Sequence, residues 1–337
     1  MTRLVLLGGG HAHALVLLKF RDFVSKNLDV VLVNEGPIHI YSGMVPGVIA
    51  GHYAAADALI DLARLAKGAG AQFMQGRVQR IDPASKKVVL ESGATLDYNV
   101  LSLNLGSVPG GLPAHAIAAK PFEGFFARWR ELLDNGPRAP RIAVVGAGAG
   151  GVELAMAMRF ALRGRGEVVL FSDRHALPPA VWERVRPVLE RLGIELRAGA
   201  PDAFDATFWV TGASALPLLR ESGLKTDEGG YVLVDPRLRS ISHPHVFAAG
   251  DNASLHGAAL PKSGVYAVRQ GAVLAENLKR VVRGMPMLDY VPQKAGLSLI
   301  SCGAKYAIAS RGRWSAEGMW VWWWKNWLDR RWIAQFR

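Results

Sequence analysis

Two glycine clusters carry the first chemistry the chain offers. Gly8-Gly9-Gly10 follows the apolar run Leu4-Val5-Leu6-Leu7, and Gly146-Ala-Gly148-Ala-Gly-Gly151 follows Arg141-Ile-Ala-Val-Val145. A glycine turn between a buried strand and a helix lets the backbone approach an anion. The helix start then offers bare N–H groups and the positive end of its dipole, so a pyrophosphate suits both places. Glu35, preceded by Asn34, lies 27 residues beyond Gly8, and Asp173 lies 27 beyond Gly146. Each acid comes after a second apolar run, where a carboxylate accepts from ribose hydroxyls. Asp173 also repels a 2′-phosphate and so favours NADH, although Arg174 beside it pulls the other way. One glycine motif arises by chance in many chains; two copies with strand, helix and acid in register point to two dinucleotides.

The pattern also indicates the elements that position these residues. Strands that are apolar without alternation belong to parallel sheets with helices on both faces, so the expected class is α/β with two Rossmann-like units. The first copy departs at its third glycine position, where His13 stands opposite Gly151. That predicts a wider approach of helix to strand. His11, Ala12 and His13 then open a helix in one of two ways: with the histidines beside the ligand, or as helix-start residues facing solvent or core. Further along, Val246-Phe-Ala-Ala-Gly250-Asp251 reads as a strand ending on a carboxylate, and Pro261-Lys262-Ser263-Gly264-Val265 opens another helix.

Bulk properties narrow the classes. A length of 337 residues holds two or three packed domains. A formal charge of +12 suits anionic cofactors, an anionic membrane surface or nucleic acid, and no nucleic-acid module accompanies it. The single cysteine, Cys302, excludes an internal disulfide and any site needing two thiolates; it reads as a small buried residue. A reducing, cytoplasmic compartment fits. No signal peptide, spanning helix or metal site is expected.

The ordered motifs resemble the pyridine nucleotide-disulfide oxidoreductase superfamily, in the branch of type II NADH dehydrogenases and the flavoproteins associated with selenide, water dikinase. Gly8-Gly-Gly-His-Ala-His13, Tyr41-Ser-Gly-Met44, Ala119-Lys-Pro121 and Trp324-Lys-Asn-Trp-Leu-Asp-Arg330 look most like the latter group. The resemblance implies a glutathione reductase-like two-domain flavoprotein with FAD in the first unit and NAD(P)H in the second. It places Gly8, Gly10 and the following amides on the FAD pyrophosphate, Glu35 on the adenosine ribose, and Arg77-Val78 at the adenine edge. Tyr41, Ser42 and Gly43 would line the isoalloxazine, Asn104-Leu-Gly106 would form the strand-end turn, and Gly250-Asp251 would take the ribityl hydroxyls. Ser263, Gly264 and Val265 would offer amides to the flavin pyrimidine, with Lys262 adding a full charge or else standing as an exposed helix-start lysine. Gly146, Gly148, Gly151, Asp173 and the turn at Gly212 would serve NAD(P)H. Glu153 falls where the type II enzymes have an acid near flavin and nicotinamide; it either relays a proton or complements a helix dipole.

Two departures stand out. Only residues 198–208 separate Ile194-Glu-Leu-Arg197 from Val210-Thr-Gly212, so the nicotinamide domain is shortened by a hairpin or more. With one cysteine, the redox disulfide or sulfur-carrying thiols of some relatives are lacking, and electrons must pass directly between flavin and acceptor. The expected organisation is an FAD domain from 1–112 and 230–300, a nicotinamide domain from 113–229 and a C-terminal region from 301–337.

Seven of the ten tryptophans lie between Trp314 and Trp332 among Lys325, Arg330 and Arg331. Such a segment suits the lipid headgroup interface, its own flavin domain or a homodimer contact. Met319 to Trp323 reads as a strand and Trp324 onward as a helix. The leading expectation is an NAD(P)H:acceptor oxidoreductase using a quinone, cytoplasmic and peripheral on the inner face of the membrane. A flavoenzyme for a selenium- or sulfur-linked metabolite and an electron-transfer protein with a docked partner are the alternatives.

Overall fold

The computed structural model describes residues 1–23, 27–175 and 177–337. Two five-stranded parallel sheets dominate it, alike in four strands and differing in the fifth, which comes last in the chain in the first sheet and first in the second. In the first, Thr2–Leu7 is central, with Leu28–Asn34 and then Gln72–Gln75 on one side, and Val100–Leu103 and then Val246–Ala248 on the other. In the second, Arg141–Ala147 is central, flanked by Glu167–His175 and Glu195–Arg197 on one side and by Ala206–Trp209 and Ile117–Ala118 on the other. The central strands are buried throughout their apolar runs, which explains the unalternating pattern. The mixed α/β class and the paired Rossmann-like folds are those expected.

After its third strand the first unit inserts an antiparallel sheet of Val78–Asp82, Lys87–Leu90 and Thr95–Asp97. In the corresponding place the second unit passes from Glu195–Arg197 to Ala206–Trp209 with no strand between. The chain crosses between the units at Val108–Pro109 and Ala213–Ser214, which pair antiparallel. Trp209 Nε1 and Thr211 Oγ1 both donate to the Gly110 carbonyl there, at 2.8 and 2.6 Å.

The helix His11–Lys19 lies against the long helix Gly264–Val282 with little room between them: a Cβ on Gly271 would come 2.8 Å from Ala12 Cα. This close approach brings the start of the long helix beside the first glycine turn.

The C-terminal region bridges both units. Ser298–Ser301, Ala307–Arg311 and Trp314–Gly318 form an antiparallel sheet. Arg184 of the second unit donates to Ser315 Oγ and Glu317 Oε1, both at 2.9 Å. The chain then becomes helical from Met319 to Ala334, so the expectation of a strand over Met319 to Trp323 is wrong. Gly318, at φ +132°, breaks the strand and admits the helix five residues earlier than the pattern suggested.

That helix misled because its faces are mixed. Val321, Trp322, Lys325, Asp329 and Ile333 point inward and are buried, whereas Trp320, Trp323 and Trp327 are each more than half exposed. Inside, a lysine–aspartate pair sits among Val321, Trp322 and Ile333; outside, three tryptophans sit with Arg330 and Arg331, so neither face is uniformly apolar or polar.

Candidate functional site

The two glycine turns share their backbone shape, with Gly8 at φ +86° and Gly146 at +115°. They differ in the first turn of the helix that each one opens. In the second unit a Cβ on Gly151 would collide with the Gly146 carbonyl oxygen, so only glycine lets the helix sit this close. In the first unit His13 fills the same place. Its ring is buried between the Gly8 carbonyl (Nδ1, 2.6 Å) and Ser102 Oγ (Nε2, 2.8 Å). Burial lowers its pKa to about 4, so it is neutral and tied within the core.

Asn104, at the end of a neighbouring strand, caps the first helix. Its Oδ1 accepts from the amides of Ala12 and His13 at 3.1 and 3.2 Å, while its Nδ2 donates to the Ala249 carbonyl at 2.7 Å. Gly9 N donates to Asn34 Oδ1 at 2.8 Å. The amides of Gly10 and His11 are left for an anion, a narrower locus than the run of amides expected from the sequence. The second helix, Ala149–Ala161, has no side-chain cap, and a Cβ on Gly148 would meet nothing within 4 Å. Its first-turn amides face open space, the condition for a pyrophosphate.

The remaining polar groups expected around the first turn have these partners. Glu35 forms a two-pronged ion pair with Arg77, at 2.9 and 3.0 Å, near the protein surface. Val78 opens the adjacent antiparallel sheet, and Gly106 turns at φ +77° in a space that no side chain fills. Asp251 is largely buried, and both its contacts, from Lys120 at 3.1 Å and Ser107 at 3.3 Å, fall on Oδ2. Its Oδ1 has no donor among the described residues. Gly250 N is held by Gln270 Oε1 at 2.6 Å.

Ser263 precedes the long helix without capping it, so the amides of Gly264 and Val265 are free. A Cβ on Gly264 would lie 3.9 Å from both His11 Nε2 and Ser42 Oγ, so the three meet in one space. Lys262 does not join them: its Nζ donates to the Ala253 carbonyl and lies 4.0 Å over the Tyr231 ring. Burial lowers its pKa.

This space fits FAD on one observation independent of the motifs. Among the described residues, His11 Nε2, His39 Nε2, Trp332 Nε1 and Asn252 Oδ1 are four of eight buried side-chain polar atoms with no hydrogen-bond partner. His11 stacks with Trp332 at 6.3 Å and meets His39 edge-on at 5.0 Å. Native cores rarely leave so many polar atoms unpaired unless a ligand completes them.

A second polar cluster brings together residues that the sequence singled out separately. Lys325 Nζ donates to Asp329 Oδ2 at 2.8 Å and to the Gly43 carbonyl at 2.7 Å, and Tyr41 OH donates to Asp329 Oδ1 at 3.0 Å. Burial works to lower the Lys325 pKa, but Asp329 and Glu153 outweigh it and the net shift is upward. Burial, then Asp329, push the Tyr41 phenol far up. Glu153 accepts from Ser301 N at 2.8 Å. Its pKa rises to about 7, chiefly through burial, with Lys325 opposing the rise. The cluster thus joins the helix of the second glycine cradle, the Tyr41–Gly43 loop of the first unit and the C-terminal helix. The sequence offered Glu153, the Tyr41–Gly43 segment and the motif holding Lys325 and Asp329 separately; their meeting depends on the fold.

Asp173 is exposed and accepts from Gly199 N at 3.0 Å, and Gly212 accepts from Gly110 N at 3.0 Å in the crossing between units. Cys302 is buried, and burial drives its thiol pKa upward.

The family model for pyridine nucleotide-disulphide oxidoreductases matches residues 2–201 and 199–271. Among curated proteins, the chain is 24% identical to NADH dehydrogenase-like protein YutJ of Bacillus subtilis over 87% of each chain. It is 22% identical to demethylphylloquinone reductase NdbB of Synechocystis over 91% of this chain and 86% of that one. Ferroptosis suppressor protein 1 of Taeniopygia guttata is 26% identical over 66% of this chain and 67% of its own. Among solved structures, the sulfide:quinone oxidoreductase of Aquifex aeolicus superposes with a TM-score of 0.79 at 16% identity, over 100% of this chain and 92% of that one.

Proposed function

The chain belongs to the pyridine nucleotide-disulphide oxidoreductase family, and from that premise we propose that it is an FAD-dependent NAD(P)H:quinone oxidoreductase that works at a membrane surface. FAD in the first unit supplies the two-electron chemistry that no side chain here can perform. The residues that would hold it are the Gly10 and His11 amides at the pyrophosphate, the Glu35–Arg77 pair at the adenosine end and Asp251 at the ribityl chain. The Gly264 and Val265 amides would face the edge that gains negative charge. The uncapped helix Ala149–Ala161 and Asp173 would hold NAD(P)H. Relatives named as an NAD(P)H-ubiquinone oxidoreductase and a demethylphylloquinone reductase support a quinone as acceptor.

The observation that carries this reading is the Glu153–Lys325–Asp329–Tyr41 cluster between the two nucleotide sites. Turning a quinone and NAD(P)H into quinol and NAD(P)⁺ takes up one proton beyond the transferred hydride. Glu153, titrating at about 7, is half protonated near neutrality, holds a proton for release and recovers it from water. Lys325, fixed by Asp329 and the Gly43 carbonyl, sets a positive charge where negative charge would develop. Asp329 in turn is held by Tyr41. Lys262, bound to the Ala253 carbonyl, lines the same pocket as Gly250, Asp251 and Ser263 and would add its charge there.

The outward tryptophans support the membrane reading. Met319, Trp320, Trp323 and Trp327 are 60%, 55%, 51% and 53% exposed, more apolar surface than one helix normally leaves in water. Among the described residues no helix is long and apolar enough to cross a membrane, so contact would be along the surface. Steady-state NADH oxidation with a diffusible quinone, and co-sedimentation with vesicles, test the two halves. The first half fails if no quinone supports turnover. The second fails if the protein stays in the supernatant or self-associates through the tryptophan face.

A further inference from the structure

Beneath the second unit, away from its glycine cradle, lies a cleft of about 410 Å³ bounded by Arg159, Arg163 and Arg191, with Phe160 and Leu192 as its apolar walls. Among the described residues none of the three arginines lies within ion-pair distance of a carboxylate. The helices Ala149–Ala161 and Pro179–Arg191 both end here, and their dipoles bring roughly half a negative charge each. Three guanidinium groups against about one unit of negative charge leave a net of about +2. Dipole compensation alone therefore does not account for the arginines.

Two details argue for a built site. Arg159 Nε donates to the Leu192 carbonyl at 2.9 Å, which locks one guanidinium across the two helix ends. Arg163 adopts φ +49°, a left-handed conformation that glycine takes freely, although Gly164 is the very next residue. A chain of ring contacts links the cleft wall to the exposed Trp323 through the buried Trp322. Phe160 packs on His52 at 5.4 Å, His52 on Trp322 at 5.3 Å, and Trp322 on Trp323 at 5.1 Å, with Lys305 Nζ 5.5 Å from the centre of the Trp323 ring.

We propose that this cleft binds the phosphate headgroup of an anionic lipid when the tryptophan face meets a bilayer. The proposal rests on the membrane reading above and adds to it a headgroup preference located in the nicotinamide unit rather than the C-terminal helix. The arginines complement the phosphate, and Phe160 and Leu192 take the glycerol and first methylenes, which a free phosphate lacks.

The test uses the FAD-loaded full chain and vesicles of phosphatidylcholine with and without phosphatidylglycerol. Arg163→Gly and Arg191→Gln should each weaken binding to the anionic vesicles about fivefold, as expected for about 1 kcal/mol per basic side chain. Binding to neutral vesicles and NADH oxidation should not change. Arg163→Gly should not lower the melting temperature, because glycine favours that backbone. The control Arg64→Gln/Lys67→Gln removes two exposed charges that line no part of the cleft and should lose little.

Equal loss in the control, or an unchanged anionic preference in the site variants, overturns the headgroup site. So does wild-type binding that ignores lipid charge, although the membrane reading then survives. Binding to neither vesicle removes both. Displacement by inorganic phosphate as effective as by anionic vesicles would assign the cleft to a free anion and also overturn the proposal.

Discussion

Glu153→Gln removes an ionisation while keeping the oxygen that accepts from Ser301 N. In the folded chain the carboxyl titrates at about 7 in place of 4.5. Between those values the native state binds the proton more tightly than the unfolded chain. Its contribution to stability is therefore full below about pH 4.5 and is lost as pH rises to about 7. At 1.36 kcal/mol per unit, the loss is about 3 kcal/mol at pH 8 and under about 1 kcal/mol at pH 5. Glutamine carries no such penalty. The variant should thus melt about 5 °C above wild type at pH 8 and nearly with it at pH 5. Quinone turnover should meanwhile fall about a hundredfold, and its pH profile should lose the limb near neutrality. Thermal melts of both proteins from pH 5 to 8.5 decide the matter. A difference in melting temperature that does not vary with pH would refute the raised carboxyl and the proton-holding role built on it.

Other substitutions test separate parts of the site. Gly151→Ala places a methyl against the Gly146 carbonyl and must lift the helix, so the KM for NADH should rise tenfold or more while FAD content stays unchanged. Asn104→Ala removes the cap on Ala12 and His13 and the bond to Ala249; a loss of about 2 to 3 kcal/mol and flavin release on gel filtration are expected. Asp329→Asn leaves the Lys325 ammonium buried without its partner and should cost about 3 to 5 kcal/mol, read by melting and by proteolysis of the last helix. Adding Lys325→Met should restore most of that stability, because the buried ammonium left without its partner is then gone.

The parts of this protein legible in its sequence are those whose physics is local. A glycine turn, the strand before it, the helix after it and the acid ending the next strand lie within about thirty residues, and each leaves a compositional mark. Both Rossmann-like units could be read that way. Other features depend on the packing of distant segments. Asn104 reaches the first helix across 92 residues of sequence, and Tyr41 meets Asp329 across 288. Neither residue advertises its partner. His13 broke a rule of the motif, and only its two hydrogen bonds reveal that it packs as core. The C-terminal helix was the hardest to read because its buried face carries lysine and aspartate and its exposed face tryptophan. A periodicity search that expects apolar residues inside and polar ones outside finds no clean stripe there.

The central claim is that electrons from a nicotinamide bound by the second unit reach a quinone through FAD held by the first. Stepwise anaerobic addition of NADH and then NADPH to the purified protein, monitored in the flavin absorbance, tests it most directly. The account predicts bleaching by about one equivalent of NADH and recovery of the yellow spectrum on adding a diffusible quinone. A flavin that neither nucleotide bleaches, or that a quinone fails to restore, would contradict it.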